Sequence, residues 1–408
     1  MTRTLAIGGV AALALSAAAC SVTTTGAQCK VDDNCQTGQY CATLSGEAGT
    51  CQLCTCGSGL LCSGGSGSQP QCSCPVNTSS TFYADANSGS LLASAMPPTG
   101  VQSPAQCRFK SLGEALSAAN AAGSGSTVAA TGSSGEGGMN FQETGPLTIG
   151  PGVVVTSDAA TADYYAVTAP ATTAPFITMS AGATLSGFAV QSGNAKGNAI
   201  QSACASGSGS VTIVNVSVIG AGSAGFEAGI SHSGACDLDL ESSSITGTGQ
   251  CGVVLNPSAS ASVTVLNNVV TGNLAVAVPA VSRTCGGVLL LQAPAAPAIL
   301  TVQGNQVYAN EGDQVLVYLG ASNSGSVTLG GGANSSACGT TSNFFACYGG
   351  SYGSGVGVFS DAATTNLSYN QWTATGSPAF GIDYDCPTPV TTYCPPDTTF
   401  ICPPAPHL

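Results

Sequence analysis

The sequence predicts an all-β repeat protein whose short strands stack as the rungs of a parallel solenoid. A unit of two apolar pairs around a small or Asn residue recurs five times, at 211–220, 237–247, 263–273, 300–310 and 365–376. A second strand-like segment recurs between these units, at 197–204, 228–236, 251–257, 285–292, 313–320, 355–361 and 380–386. Alternation of apolar and polar residues indicates strands with one buried face, so each rung has at least two strands.

The polar residues of the first unit share one place, the bend between its apolar pairs: Asn215, Ser243, Asn268, Asn305 and Asn370. Asn tolerates the left-handed conformation that a bend needs, and its amide can bond the next Asn along a column. Val and Ile suit the pleated interior between the bends. In a β-sandwich the same Asn and Gly residues would have no reason to recur at each bend. The pattern therefore favours stacked coils with loops of variable length.

Composition limits the classes of function. The 408 residues carry a net charge of −13, contain 55 glycines and are only 6% charged. The six Lys and Arg residues are not clustered, so a nucleic-acid partner is excluded. Beyond residue 20 no apolar run is long enough to span a bilayer. A folded extracellular protein fits these numbers best.

The N-terminus predicts an export signal over residues 1–19. Arg3 and an apolar run from Leu5 to Leu15 precede three alanines and Cys20. The stretch SAAAC resembles a bacterial lipoprotein signal, which implies that Cys20 is lipidated and that the protein is anchored at the outer membrane or cell surface. The usual Leu three positions before the cysteine is missing, so cleavage and plain secretion are the alternative.

A polar tether over 20–28 is followed by a cysteine-rich module over 29–75. Nine of the 20 cysteines lie between Cys29 and Cys74, among few aliphatic residues. Such a segment cannot bury a core, and in an exported chain its cysteines imply disulfides. The opening CKVDDNCQTGQYCATLSGEAGTC resembles Dickkopf N-terminal or EGF-like modules. Zinc ligation by CQLCTC is disfavoured by the oxidising compartment and the missing His, and no metal or cofactor is predicted.

Residues 80–145 predict a capping helix. Ser111 and Glu114 form a capping box, and Gly123 closes the helix. One helical face is apolar: Leu112, Ala115, Leu116 and Ala119. A strand, this helix and a second strand resemble the opening segment of the pectin-lyase-like right-handed parallel β-helix proteins. That resemblance implies a right-handed parallel β-helix over 146–385 whose first coil the helix covers.

Stacked rungs also predict disulfides, because rungs about 4.8 Å apart suit the bond. The predicted pairs are Cys204 with Cys236, Cys251 with Cys285, and Cys338 with Cys347. In the tail, 386–408, three cysteines are each followed by Pro. Because Pro has no backbone N–H to donate to a neighbouring strand, addition of strands is expected to stop here. The tail is then expected to cover the last coil as an extended chain.

The candidate catalytic residues are Asp237, Asp239 and Glu241, which alternate with Leu and point outward together, and His232 nearby. Glycoside hydrolases on this fold need converging carboxylates, usually with a His and a basic residue, whereas polysaccharide lyases need an Arg or Lys base beside a carboxylate-bound calcium. Against this, an outward acidic row is also what a solvated strand face looks like, and His232 reads as a surface residue. Glu311 and Asp313 read as a loop that calcium could bridge.

The leading hypothesis is therefore a cell-surface lipoprotein whose β-helix presents a long, weakly charged surface to a polysaccharide or a surface protein, without catalysis. Its only contact with the membrane would be the lipid anchor. The alternative is a carbohydrate-active enzyme, a polysaccharide lyase or glycoside hydrolase, that uses the acidic groove.

Overall fold

A computed structural model of the chain describes residues 81–87, 108–130, 139–157, 165–204, 209–258, 261–292, 298–319, 326–330 and 343–346, with isolated strands within 28–73 and 356–384. Among these residues no helix is long and apolar enough to cross a membrane. Lipidation at Cys20, the Cys338–Cys347 pair and the tail over 386–408 lie outside the described residues.

Five short strands lie in the predicted cysteine-rich module: β1 (Gln28–Cys29), β2 (Gln39–Ala42), β3 (Gly49–Leu53), β4 (Leu61–Ser63) and β5 (Gln71–Ser73). They form two antiparallel sheets, ordered β1-β3-β2 and β4-β5. These sheets are separate from those of the main fold.

All but one of the remaining strands form a parallel β-helix with three sheets, and each complete coil gives one strand to each sheet. Sheet A contains β6 (Thr81–Ala84), β7 (Thr127–Ala130), β10 (Val154–Ser157), β13 (Thr184–Ser186), β16 (Ser210–Val214), β19 (Asp237–Glu241), β22 (Ser262–Leu266), β26 (Ile299–Gln303), β29 (Ser326–Leu329) and β32 (Thr364–Asn366). Sheet B contains β8 (Met139–Gln142), β11 (Tyr165–Thr168), β14 (Ala189–Gln191), β17 (Ser217–Ile219), β20 (Ser244–Thr246), β23 (Val269–Thr271), β27 (Gln306–Tyr308), β30 (Phe344–Ala346) and β33 (Gln371–Trp372). Sheet C contains β9 (Leu147–Ile149), β12 (Ile177–Met179), β15 (Ile200–Cys204), β18 (Ile230–Gly234), β21 (Val253–Pro257), β25 (Arg283–Gln292), β28 (Asp313–Leu319), β31 (Val356–Ser360) and β34 (Ile382–Tyr384).

The predicted solenoid is confirmed, with one more strand in each rung than the minimum expected. Each copy of the first recurring unit is a sheet A strand, a bend and a sheet B strand, as in β16 and β17. Each copy of the second segment is a sheet C strand, as in β18. The sequence pattern had therefore detected all three sheets, two of them as a single unit.

Inward side chains of successive coils stack in columns. The column of sheet B consists of Phe141, Val167, Val190, Val218, Ile245, Val270, Val307 and Phe345, all buried. Because paired strands lie about 4.8 Å apart, each side chain contacts its counterpart in the next coil. Burial of each such side chain stabilises the fold by about 1.5–3 kcal/mol.

A ladder of buried polar side chains, the first ladder, follows the bend between sheets A and B: Ser243, Asn268, Asn305, Asn343 and Asn370. Asn268 Oδ1 accepts from the N–H of Ser243 at 2.9 Å, and Asn305 Oδ1 accepts from the N–H of Asn268 at 2.9 Å. The amide nitrogens donate along the column, from Asn268 to Asn305 at 2.9 Å and from Asn343 to Asn370 at 3.0 Å. The coils are therefore joined by side chains as well as by strands.

In earlier coils the same inward position is apolar, occupied by Phe188 and Val216, both buried. Aromatic rings also stack in these coils between sheets B and C, where the Phe176 and Phe226 centroids are 6.3 Å apart at an interplanar angle of 18°. The column thus changes from apolar to polar at Ser243, whose Oγ accepts from the N–H of Val216 at 3.1 Å.

The alignment of Asn215 with Asn268 is wrong by one residue. Asn215 (φ 52°) is equivalent to Asn267 (φ 57°) and Gly304 (φ 66°), the left-handed residues that precede the ladder position. Asn215 makes the bend, as expected for a residue that tolerates positive φ. The inward ladder position beside it is Val216.

A second ladder, unforeseen from the sequence, follows the bend between sheets B and C: Thr248, Asn273, Asn310 and Gln314, all buried. Asn273 Oδ1 accepts from the N–H of Thr248 at 3.0 Å, and Asn310 Oδ1 accepts from the N–H of Asn273 at 3.1 Å. At the end of this ladder, Gln314 Oε1 accepts a hydrogen bond from the N–H of Asn310 at 3.1 Å. Two of the three corners of the later coils are therefore fixed by side-chain hydrogen bonds.

Helix α1 (Leu112–Ala122) covers the first coil, as predicted. Its buried residues are the predicted apolar face: Leu112, Ala115, Leu116 and Ala119. Ser111 Oγ accepts from the N–H of Glu114 at 3.1 Å, and the helix ends at Gly123 (φ 96°). The apolar face closes the N-terminal end of the solenoid core.

An insertion leaves the coil before β25. Strand β24 (Val276–Val278) pairs antiparallel with the start of β25, through a short 3-10 helix (Pro279–Val281). A small apolar cluster lies on the outer face of sheet C where this insertion packs: Cys251, Val278, Cys285, Leu289 and Leu316. This cluster is separate from the solenoid core.

Candidate functional site

The predicted acidic row lies on the outer face of sheet A. Asp237, Asp239 and Glu241 are exposed and alternate with buried Leu residues along β19. Asp239 Oδ2 accepts from Ser210 Oγ at 2.6 Å, and Asp237 Oδ1 accepts from the N–H of Ser262 at 2.7 Å. Two of the three carboxylates thus brace neighbouring strands of the same sheet.

His232 lies inside the solenoid, on sheet C. It is fully buried between Ser202 and Leu255 in an inward column, and its Nδ1 lies 2.7 Å from Ser202 Oγ. Burial lowers the pKa of His232 to about 4, against smaller opposing effects of the Cys236 backbone and Asp237. Nε2 has no hydrogen-bond partner among the described residues.

The structure therefore does not bring His232 together with the three carboxylates. The expectation that His232 is a surface residue is wrong, because its place in β18 is an inward position of the pleat. Asp237, Asp239 and Glu241 face solvent from a different sheet. No common groove contains all four side chains.

The cations of the coils are engaged in structural contacts. Arg283 binds Asp313 through two hydrogen bonds, of 2.8 and 3.1 Å, and Asp313 is buried. Lys196 Nζ donates to the backbone oxygen of Ser223 at 3.2 Å. Asp313 thus pairs with an arginine, which argues against the suggested calcium bridge to Glu311. Among the described residues no three potential metal ligands lie together.

Cys204 and Cys236 form the disulfide predicted between them, with Cα atoms 5.6 Å apart. Cys204 is the last residue of β15 and Cys236 follows the end of β18, and these two strands are paired in register. The bond therefore links consecutive rungs at the end of the sheet C strands, where both cysteines are buried in the solenoid core.

Cys251 and Cys285 are buried free thiols, so the bond predicted between them is absent. Val253 pairs with Val288, which sets Cys251 level with Gly286, and the register of β25 shifts between Cys285 and Val288. Cys251 Sγ instead donates to the backbone oxygen of Cys285 at 2.9 Å. Burial, with Cys251 beside it, raises the pKa of the Cys285 thiol well above its ordinary value.

A cleft of about 540 Å³ opens between α1 and the first coil. Its polar lining comes from two sides, with Lys110, Ser111, Glu114 and Ser117 on the helix side and Asn140, Gln142, Glu143 and Thr144 on the coil side. The volume lies within the range of roughly 300–1,000 Å³ typical of small-molecule sites. We call this space the cap cleft.

Glu143 forms the floor of the cap cleft and caps the helix. Its Oε1 accepts from the N–H of Leu112 at 2.9 Å and its Oε2 from the N–H of Gly113 at 3.2 Å. A Cβ at position 113 would lie 2.9 Å from Oε2, so glycine permits this close approach. Burial raises the pKa of Glu143, partly offset by these hydrogen bonds. Sequence reasoning missed Glu143 because its partners are about 30 residues away.

The outer face of sheet B is uncharged wherever the structure describes its side chains. Its outward residues are Asn140, Gln142, Ala166, Thr168, Ala189, Gln191, Ser217, Ile219, Ser244, Thr246, Val269, Thr271, Gln306, Tyr308 and Phe344. With strands about 4.8 Å apart, the nine strands extend over roughly 40 Å. We call this surface the B face.

No protein-family model matches the chain, and no curated protein matches it. Among solved structures, the chain is similar to the A-module of the mannuronan C-5 epimerase AlgE4 from Azotobacter vinelandii. The two are 14% identical, with a TM-score of 0.34, over 69% of this chain and 92% of that module.

Proposed function

We propose that this chain is an exported, lipid-anchored protein that binds a neutral polysaccharide along the B face and does not cleave it. The observation that carries the proposal is the absence of charge on the described part of this face in a chain with net charge −13. Hydroxyl and amide groups both donate and accept hydrogen bonds, as sugar hydroxyls do. Tyr308 adds an amphipathic ring on which a sugar can pack.

The charge balance selects against an acidic polymer. The neighbouring outer face carries Asp237, Asp239 and Glu241, and Arg108 and Arg283 are held in ion pairs with Asp residues. A polyuronate brought to the B face would meet a negative field without a compensating cationic patch. A neutral chain has no such penalty.

Affinity electrophoresis tests the proposal with the full chain in gels containing galactomannan, xyloglucan or mixed-linkage β-glucan, and polygalacturonate as the charged comparison. We expect retardation by a neutral polymer and none by polygalacturonate. Tyr308→Ala should weaken binding roughly tenfold, while the control Thr301→Ala on the outer face of sheet A should not. Equal migration in all gels would refute the proposal.

The same incubations distinguish binding from catalysis. We expect no new reducing ends or unsaturated products from these polymers or from pectin. Product release by the wild type that Asp239→Asn abolishes would replace this proposal with a carbohydrate-active enzyme acting at the acidic row.

The lipid anchor at Cys20 is supported by the stretch SAAAC. Expressed with its signal, the wild type should partition into the detergent phase of a Triton X-114 extract, and Cys20→Ser should move to the aqueous phase. Aqueous partitioning of both forms would indicate plain secretion.

A further inference from the structure

We propose that the cap cleft holds the end of the neutral polysaccharide chain that lies on the B face. This inference rests on the proposed function and adds to it a chain-end specificity. A polymer running along the B face towards β8 would be stopped at α1, so the last sugar unit would sit in the cleft.

The position of the cleft supports this direction. Strand β8 is the terminal strand of sheet B among the described residues, and the described part of the B face ends there. Asn140 and Gln142 belong both to the last row of the B face and to the lining of the cleft. Both contact Thr168 of the next strand: Thr168 Oγ1 donates to Asn140 Oδ1 at 2.9 Å, and Gln142 Nε2 donates to Thr168 Oγ1 at 3.2 Å. The polar surface is therefore continuous from face to cleft.

The donors of the helix N-terminus are already used, which argues against an anionic ligand. The N–H groups of Leu112, Gly113 and Glu114 are bonded to Glu143 and to Ser111 Oγ. An anion normally binds such groups, but here a carboxylate of the chain occupies them. An acidic sugar would also face the carboxylates of Glu114 and Glu143, with Lys110 as the cation of the lining.

A neutral sugar unit fits the remaining groups. Each carboxylate oxygen of Glu143 keeps a lone pair for a sugar hydroxyl, and the amides of Asn140 and Gln142 offer both donors and acceptors. Ser117 and Thr144 add hydroxyls at opposite walls. The ligand class is therefore a terminal neutral sugar unit without carboxylate or sulfate.

Isothermal titration of the full chain tests this with linear hexaoses of β-1,4-glucan, β-1,4-mannan, β-1,4-xylan and α-1,4-glucan, and with hexagalacturonate. Two variants change the cleft: Ser117→Trp narrows it from the exposed side of α1, and Asn140→Ala removes an amide. Thr301→Ala, at an outward position of sheet A and outside both the B face and the cleft, is the control. Far-UV circular dichroism melts check that all variants remain folded.

We expect at least one neutral hexaose to bind, and Ser117→Trp and Asn140→Ala to raise its Kd tenfold or more while Thr301→Ala changes it less than twofold. Hexaose binding unchanged in both cleft variants would overturn the chain-end site and leave B-face binding intact. Binding of neutral polymers without binding of any hexaose would also overturn the chain-end site and leave B-face binding intact. Tighter binding of hexagalacturonate would overturn the ligand class, and no binding of any neutral glycan would overturn both proposals.

Discussion

Replacement of Asn305 by Ala should lower the free energy of unfolding by roughly 3–5 kcal/mol. The Asn305 amide accepts from the N–H of Asn268 and donates to the backbone oxygens of Val265 at 2.8 Å and Gln303 at 2.9 Å. A buried donor left unpaired costs about 1–3 kcal/mol, and two carbonyls that lose a donor add about 1 kcal/mol each. The change also breaks the first ladder, since Asn305 Nδ2 donates to Asn343 at 3.0 Å.

Guanidinium denaturation followed by circular dichroism measures this difference. The control is Thr301→Ala, an outward, half-buried position of the same coil, for which a change within about 0.5 kcal/mol is expected. Because a solenoid can unfold in stages, hydrogen exchange at the backbone N–H of Asn268 gives a local readout. This proton should exchange faster in Asn305→Ala. If Asn305→Ala is no more destabilising than Thr301→Ala, the ladder contributes no net stability and the reasoning fails.

Three further results are expected. The His232 pKa of about 4 lies below the unfolded value of 6.5, so the unfolded state binds the extra proton and stability falls by roughly 3 kcal/mol as pH drops from 6.5 towards 4. In His232→Gln the midpoint of urea denaturation should depend less on pH across this window. An unchanged pH dependence would mean that another group takes up the proton. Replacing both Cys204 and Cys236 by Ser should cost roughly 3–4 kcal/mol, because the bond closes a loop with a sequence separation of 32. Denaturation curves equal to the wild type would show that strand pairing alone holds these rungs. Iodoacetamide should modify Cys251 and Cys285 only after unfolding, and rapid modification of the native protein, read by peptide mass mapping, would contradict their burial.

The periodic part of the fold could be predicted because each rung repeats the same requirement. Apolar alternation identified the strands, and the capping helix was marked by Ser111, Gly123 and an apolar face that the structure reproduces. What could not be read was the register within a rung. Asn215 and Asn268 look equivalent, but a one-residue shift moves a side chain to the opposite face of the sheet.

The candidate site was harder to predict because its contacts are not local. The strand pattern gave the outward direction of Asp239 but placed His232 at the surface, although it occupies an inward position of β18. A one-residue register difference also separates Cys251 from Cys285. The cap cleft depends on Glu143 reaching a helix 30 residues earlier, a contact that only the packing of α1 on the first coil creates.

The column at the bend between sheets A and B has two parts. It is apolar in the early coils, with Phe188 and Val216, and polar in the later coils, where the first ladder forms it. Hydrophobic contacts weaken on cooling, whereas the stability of a buried amide ladder does not depend on ordering water around apolar surface. On cooling, the bend between sheets A and B should therefore lose more stabilisation in the early coils than in the later ones.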